Sequence, residues 1–546
     1  MRGTWIGRLR AGTKSLISDQ RGNAFMLTAA AIVPVIGIVG SAVDIGRAYM
    51  TQLRLQQACD AGVLAGRRAM GGASYSEAAQ SEANKMFNFN FPEAKYGASG
   101  ILFSSEADES GSDVSGQASA VLPTELMFMF GKDQFRLSAN CTAKLEISNV
   151  DVMMVLDVTG SMASKADSDD DDTKIAALRA AAKDFYATLA SADIGDGRLR
   201  FGVVPYSSSV NVGGILMAKD PAWIADSAIL PSRLGEGWKN VQVCGRWSCS
   251  WENRYFYRYE DRTFDVSAAK TGDELDADTG DQGATISTTW DGCIIERRTT
   301  AFAANETAPA DAYDMDIDME PTGSDDTKWK LFLPEVTYSR SSTASYSSST
   351  DSTNFVEKGG DYAACPVAAM KLTKLPKTGE SGAEFLTKAD FDDYIDDLQP
   401  RGFTYHDAGM AWGARLLSPT GLFSDENATA DNDRPISRHV VFMTDGAMKT
   451  PPSNLSHQGQ ESAMNRIGAT TETEAIARHN NRFVQLCRAA RQRGITIWVV
   501  SFGVGSNANL NSCASSGAAF EADNAAELNE QFQAIARQIS KLRLSQ

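Results

Sequence analysis

Histidine is scarce in this 546-residue chain. The four residues, His406, His439, His457 and His479, include no i, i+4 pair of the kind that builds a helical zinc-hydrolase motif. Cysteine pairs with metal-knuckle spacing are missing too. The eight cysteines are scattered, and the gap between Cys244 and Cys249 suits a small disulfide loop better than a zinc knuckle. Basic clusters are absent after the first 21 residues, and the formal net charge is −17. Phosphate would be repelled, which argues against nucleic acid as a partner. No second long apolar run follows the first, which excludes a polytopic pump or transporter. Neither acidic run, DSDDDD (167–172) nor DMDIDME (314–320), has the glycine that an EF-hand places sixth, so both read as solvated loops. Two glycine-bearing stretches fail as phosphate loops. Residues 7–15 miss the Walker spacing by one, and 503–508 open no convincing helix.

What is present begins with residues 24–43, AFMLTAAAIVPVIGIVGSAV, twenty residues without a charge. As a helix they would cross roughly 30 Å of hydrocarbon. Arg2, Arg8, Arg10, Lys14 and Arg21 precede them against one acid, Asp19. That bias places the amino terminus in the cytoplasm and the bulk of the chain outside, where disulfides form. The run is longer than the core of a cleaved signal peptide. The sequence thus predicts a basic cytoplasmic tail (1–23), a transmembrane helix (24–43) and a helical stalk with a small α+β module (44–149). The helix continues with good helix formers to Gly71-Gly72. Its small residues Ala58, Ala61, Gly62, Ala65 and Gly66 either permit close packing on a partner helix or belong to a plain stalk. A second helix runs from Ser74 to Asn90, with Ser74 and Glu77 as a capping pair and Pro92 closing it. Short β-prone runs fill 96–147.

From Val152 the texture becomes α/β. VMMVL is continuously apolar, as a strand buried on both faces of a parallel sheet requires. Helical patterns alternate with further strands at LRFGVVPY, HVVFMTD and ITIWVVSF, which predicts a doubly wound, mostly parallel sheet over 150–546. A long insertion at about 207–389 interrupts it. There the aromatic, cysteine-bearing stretch 238–264 reads as a disulfide-stapled mini-core rather than a recognition surface, and SRSSTASYSSSTDSTNF reads as flexible.

Ligands of doubly wound sheets sit beyond the carboxyl ends of the strands. There the chain places Asp157, which ends VMMVLD, then Thr159 and Ser161; Asp445 in MTDGAM; and Thr404 in RGFTYHDAGM. Two carboxylates and three hydroxyls form a hard oxygen set suited to Mg²⁺, or to another hard divalent cation such as Ca²⁺ or Mn²⁺. One position stays open for a partner's carboxylate.

The D-x-T-x-S run, the later threonine before a helix and the T-D-G after a strand resemble the metal-ion-dependent adhesion site of von Willebrand factor A domains. Thr159 stands where that family's pattern has its first serine. The resemblance implies Asp157, Thr159, Ser161, Thr404 and Asp445 as metal ligands and protein binding as the activity, with no chemical step. Residues 21–69 resemble the amino-terminal region of the TadE/TadG family of tight-adherence (Flp) pilus assembly, whose TadG-like members can carry a carboxyl-terminal von Willebrand A domain. Counted from Asn23, position five is Leu27 rather than the glutamate of prepilin-like members, so the likeness does not extend to prepilin processing. The two resemblances imply a single-pass inner-membrane protein whose partners are pilus or envelope components, with self-association left open. An alternative is a surface adhesin without a pilus role. A second is a haloacid-dehalogenase-like phosphotransferase with Asp157 as nucleophile, but Thr159 stands where those phosphatases need a second aspartate.

Overall fold

The fold is taken from a computed structural model. The structure describes every residue except 1–20, 71–74, 94, 108–112, 145–148, 169, 192–196, 340–345, 349–362, 378, 506 and 543–546. Two compact units divide the chain, Met1–Glu146 and Ile147–Gln546.

The first unit is built on one 50-residue helix, α1 (Arg21–Met70). Its early part leaves Met26, Leu27, Ile32, Val33, Val35 and Ile38 exposed, with Pro34 inside the helix. Beyond Asp44 the helix becomes one-sided. Leu55, Ala58, Cys59 and Val63, spaced at three and four, turn into a core shared with the helix α2 (Glu77–Asn90) and a three-stranded antiparallel sheet. The strands are β1 (Ser99–Ala107), β2 (Asp113–Pro123) and β3 (Gln134–Lys144). The small residues of α1 serve this internal contact. A Cβ added at Gly62 would stand 2.8 Å from the Phe103 ring, and one at Gly66 2.9 Å from Ala83 of α2. The predicted partner helix is therefore α2 of the same chain. Its cap is Ser76, whose hydroxyl accepts the Ala79 N–H, so the Ser74–Glu77 pair is not the cap and Ser74 lies outside the described residues. A disulfide, Cys59–Cys141, ties α1 to β3. Asp44 accepts the backbone N–H groups of Glu125, Leu126 and Met127 at 2.9, 2.9 and 2.7 Å. This fastens the turn Met127–Phe130 against α1, with Leu126 over Gly40 and the Phe130 ring over Gly37.

The second unit holds a six-stranded sheet. Its strands are β4 (Asn149–Asp157), β5 (Leu199–Tyr206), β8 (Met370–Lys374), β9 (Ile436–Thr444), β10 (Ile495–Phe502) and β11 (Ala519–Ala522); β6 (Ser227–Cys244) and β7 (Cys249–Asp265) form a separate hairpin. The order is β8-β5-β4-β9-β10-β11, parallel throughout except for β8 against β5. This is a doubly wound, mostly parallel sheet with helices on both faces. Strand alternation explains why VMMVL is apolar at every position. Val152, Met154 and Leu156 face the helices α3 (Lys174–Ala190), α4 (Lys388–Asp396) and α7 (Ala525–Leu542), whose Leu178, Phe185, Phe391 and Phe532 complete that core. Met153 and Val155 face the other side, with Trp412 of α5 (His406–Leu417) and Phe483 of α6 (Glu472–Gln492).

Residues 207–389 do more than loop out. They supply β8, the antiparallel edge, and a buried carboxylate, Glu296, which accepts the indole N–H groups of Trp329 and Trp412 at 3.0 Å each and the Arg415 guanidinium at 2.6 Å. The predicted mini-core is instead the hairpin β6–β7. Cys244–Cys249 closes its tip, Tyr257 is buried midway along it, and Trp247 and Trp251 stand in solvent. Of the serine-rich tract, Ser339 is buried and Tyr346–Ser348 pairs with 256–258, and residues 340–345 and 349–355 lie outside the described residues.

Candidate functional site

β4 and β9 run parallel with Leu156 opposite Met443, so their carboxyl ends finish side by side. That register puts Asp157 next to Thr444 and brings Asp445 just beyond. Asp157 is fully buried. Its Oδ1 accepts the Thr159 N–H at 3.0 Å, closing a short turn, and its Oδ2 accepts the hydroxyls of Thr444 at 2.8 Å and Tyr206 at 3.3 Å. The Ser161 hydroxyl donates to Asp445 Oδ1 at 2.7 Å and lies 3.0 Å from Thr159 Oγ1. Asp157, Thr159, Ser161 and Asp445 therefore form one hydrogen-bonded cluster, buried except at Ser161, which faces solvent.

Thr404 is placed by backbone ties. The Arg401 N–H donates to the Val158 carbonyl at 2.8 Å, Gly160 N–H to Gly402 at 3.0 Å, and Lys449 N–H to Thr404 at 3.1 Å. The 401–404 loop is thereby laced between the two strand-end loops. Thr404 is buried there, and its hydroxyl is not hydrogen-bonded into the cluster. Gly402 has φ +83, a left-handed conformation that suits glycine at the crossing.

Electrostatics sharpen the picture. Burial, and second the charge of Asp445, push the Asp157 carboxyl up to about 7, against the hydrogen bonds from Thr159 and Thr444. Two buried carboxylates converge, with Lys174 reaching Asp445 Oδ2 at 3.2 Å. The donors are all oxygen, and a hard cation between the carboxylates would remove their repulsion; on chemistry the set fits such an ion. Motif reading passes over three contributors. Tyr206 and Thr444 brace Asp157, and Lys174 faces Asp445 from the first turn of α3. His406 Nε2 lies 3.0 Å from the Thr444 hydroxyl, and burial pushes its imidazole down to about 4. The available signal was weak: Tyr206 closes the strand beside β4, and Thr444 is the residue before the motif aspartate.

Solved structures similar to the chain include a pilus adhesin, SpaC from Lactobacillus rhamnosus GG, at 9% identity and TM-score 0.31, covering 81% of this chain and 34% of that one. The PilB minor pilin from Streptococcus sanguinis has 11% identity and TM-score 0.30, covering 81% and 78%. The vWF domain of the type V pili tip protein Mfa5 from Porphyromonas gingivalis has 11% identity and TM-score 0.28, covering 72% and 95%. The chain spans about a third of the adhesin's length. No curated protein matches the chain. Residues 22–80 match the family model described as "Putative Flp pilus-assembly TadE/G-like", and by that segment, which covers most of α1 and the start of α2, the protein carries a TadE/G-like module ahead of its doubly wound domain.

Proposed function

We propose that this chain is a membrane-anchored protein that binds a protein partner through a divalent metal, without a chemical step, in the assembly or anchoring of a tight-adherence pilus. The observation that carries the reading is the meeting of Asp157 and Asp445 at two adjacent strand ends, with Thr159 and Ser161 hydrogen-bonded between them. Asp157, Thr159, Ser161, Thr404 and Asp445 would hold the ion. A hard cation such as Mg²⁺ held there would offer a coordination position to a partner's carboxylate. Lys174 sits where it tempers the charge of Asp445 and keeps the carboxylates tolerable before loading.

The helix at 24–43 crosses the bacterial inner membrane once, amino terminus inside, and the bulk lies in the periplasm or beyond. Two features support this. The apolar stretch of α1 is exposed, and all eight cysteines are paired, as an oxidising compartment permits. On this reading the turn Met127–Phe130 enters the outer leaflet. Gly37, under Phe130, lies seven residues before Asp44, about 10 Å deeper along a helix. Phe128 and Met129, both exposed, would face lipid there.

Pull-down from native membranes with the full chain tests the binding role. In Mg²⁺ the wild type captures pilus or envelope proteins, and chelation or Asp157→Ala releases them. Capture that persists unchanged in EDTA contradicts the metal role.

A further inference from the structure

The four histidines look unremarkable in sequence, yet the fold brings two of them to one carboxylate. Asp407 lies in the first turn of α5, His479 near the middle of α6, and His457 at the turn between the two-residue strands Leu455–Ser456 and Gly459–Gln460. One potential ligand atom from each lies within 4.8 Å of the others. His479 Nδ1 is 2.7 Å and His457 Nε2 is 3.3 Å from Asp407 Oδ2. Ligands held at about 2.1 Å around one ion stand roughly 2.9–3.4 Å apart in octahedral or tetrahedral geometry; the His457 separation falls in that range, the His479 separation lies just below it, and the third pair is within 4.8 Å, so the three atoms surround one point that an ion could take by small side-chain shifts.

From this geometry we infer a second metal site, at Asp407, His457 and His479, for a borderline first-row transition ion of the zinc class. Two imidazoles and one carboxylate select such an ion over Mg²⁺ or Ca²⁺. The site is distinct in chemistry from the all-oxygen cluster and does not rest on the function proposed for it.

Independent features of the surroundings agree. All three side chains are at most 3% exposed, yet Asp407 Oδ1 and His457 Nδ1 have no hydrogen-bond partner. Buried polar atoms without partners are uncommon and call for an occupant. Asn454 Oδ1, on the neighbouring loop, is also unpartnered. The site is stiffly built. The His457 N–H donates to the Ser208 carbonyl at 2.8 Å, and its own carbonyl accepts the Glu296 N–H at 2.7 Å. The Tyr405 ring meets both imidazoles edge-on, at 5.4 and 5.1 Å between centroids. A site closed this way is loaded as the chain folds, and it joins α5, α6 and the 455–460 hairpin into one unit.

The test uses the full chain in detergent, stripped with a chelator during refolding and then refolded with Zn²⁺ or Co²⁺ alone. One equivalent of Zn²⁺ is expected in the wild type and in Asp157→Ala. A visible ligand-field band is expected with Co²⁺, and X-ray absorption should show imidazole scattering. His457→Gln and His479→Gln should lose Zn²⁺ affinity by more than the roughly 10–100-fold that removing even a supporting partner costs. If those variants fail to fold, the wild type alone decides, because imidazole scattering and the Co²⁺ band need no mutant. Folded wild type without a stoichiometric equivalent overturns the inference, as does zinc bound without imidazole or lost in Asp157→Ala.

Discussion

Asp314 shows how a single buried charge is held. It is 3% exposed and pairs with Arg482, and Gln458 Nε2 donates to it at 2.8 Å. Burial works to raise its carboxyl, and the guanidinium of Arg482, with help from Arg466, outweighs burial and holds the group below the usual carboxylate range. A value lower in the folded than in the unfolded chain means stabilisation that is complete above about pH 4 and lost as pH falls through the folded value. Asp314→Asn should therefore destabilise the second unit by about 3–5 kcal/mol at neutral pH, because it strands Arg482 in the interior. Denaturant melts check this, and the gap from wild type should narrow on acidification. At this scale the sequence was informative where a residue broke its local pattern. A core strand ending in aspartate, with two hydroxyl residues behind it, marks Asp157, Thr159 and Ser161. Asp407, His457 and His479 break no pattern. They lie 50 and 22 positions apart along the chain, and only the packing of α5 against α6 makes them neighbours.

Among the elements, the turn Met127–Phe130 and the tip of the β6–β7 hairpin both expose large apolar side chains, for different reasons. The turn lies against the apolar stretch of α1, fastened by Asp44. A fluorophore on Phe128→Cys, in chain reconstituted into phosphatidylcholine vesicles, should be quenched by lipids brominated on their acyl chains. One on Ser115→Cys, exposed on β2, should not. Equal quenching at both positions contradicts the insertion. The hairpin tip is held by Cys244–Cys249 and a long antiparallel ladder, so its tryptophans do not hold the fold. Trp247→Ser and Trp251→Ser should each change unfolding free energy by less than about 0.5 kcal/mol in denaturant melts. The elements of the sheet could be read directly where they are long and apolar, as β4, β9 and β10 are. The edge β8 could not: MKLTK is short and mixed, and only pairing with β5 makes it a strand. The cap of α2 was misread by two residues because Ser74 and Ser76 offer the same chemistry, and the choice depends on where α1 ends.

Across the whole molecule, the first unit and the doubly wound second unit each have their own core, and disulfides lie within each: Cys59–Cys141 in the first, Cys244–Cys249, Cys293–Cys365 and Cys487–Cys513 in the second. Three of these pairings were beyond sequence reading, since scattered cysteines leave their connectivity open. The insertion was hardest of all to read. Part of its contribution to the interior comes through Glu296, whose partners Trp412 and Arg415 lie more than a hundred residues away. The account as a whole depends on five oxygen-bearing side chains sharing one hard cation at the end of the sheet. Mn²⁺ titration of the full chain, followed by electron paramagnetic resonance, measures that most directly. One bound Mn²⁺ is predicted for the wild type and for His479→Gln, and none for Asp157→Ala or Asp445→Ala. Equal Mn²⁺ binding by folded Asp157→Ala, or none by the wild type, would contradict the claim.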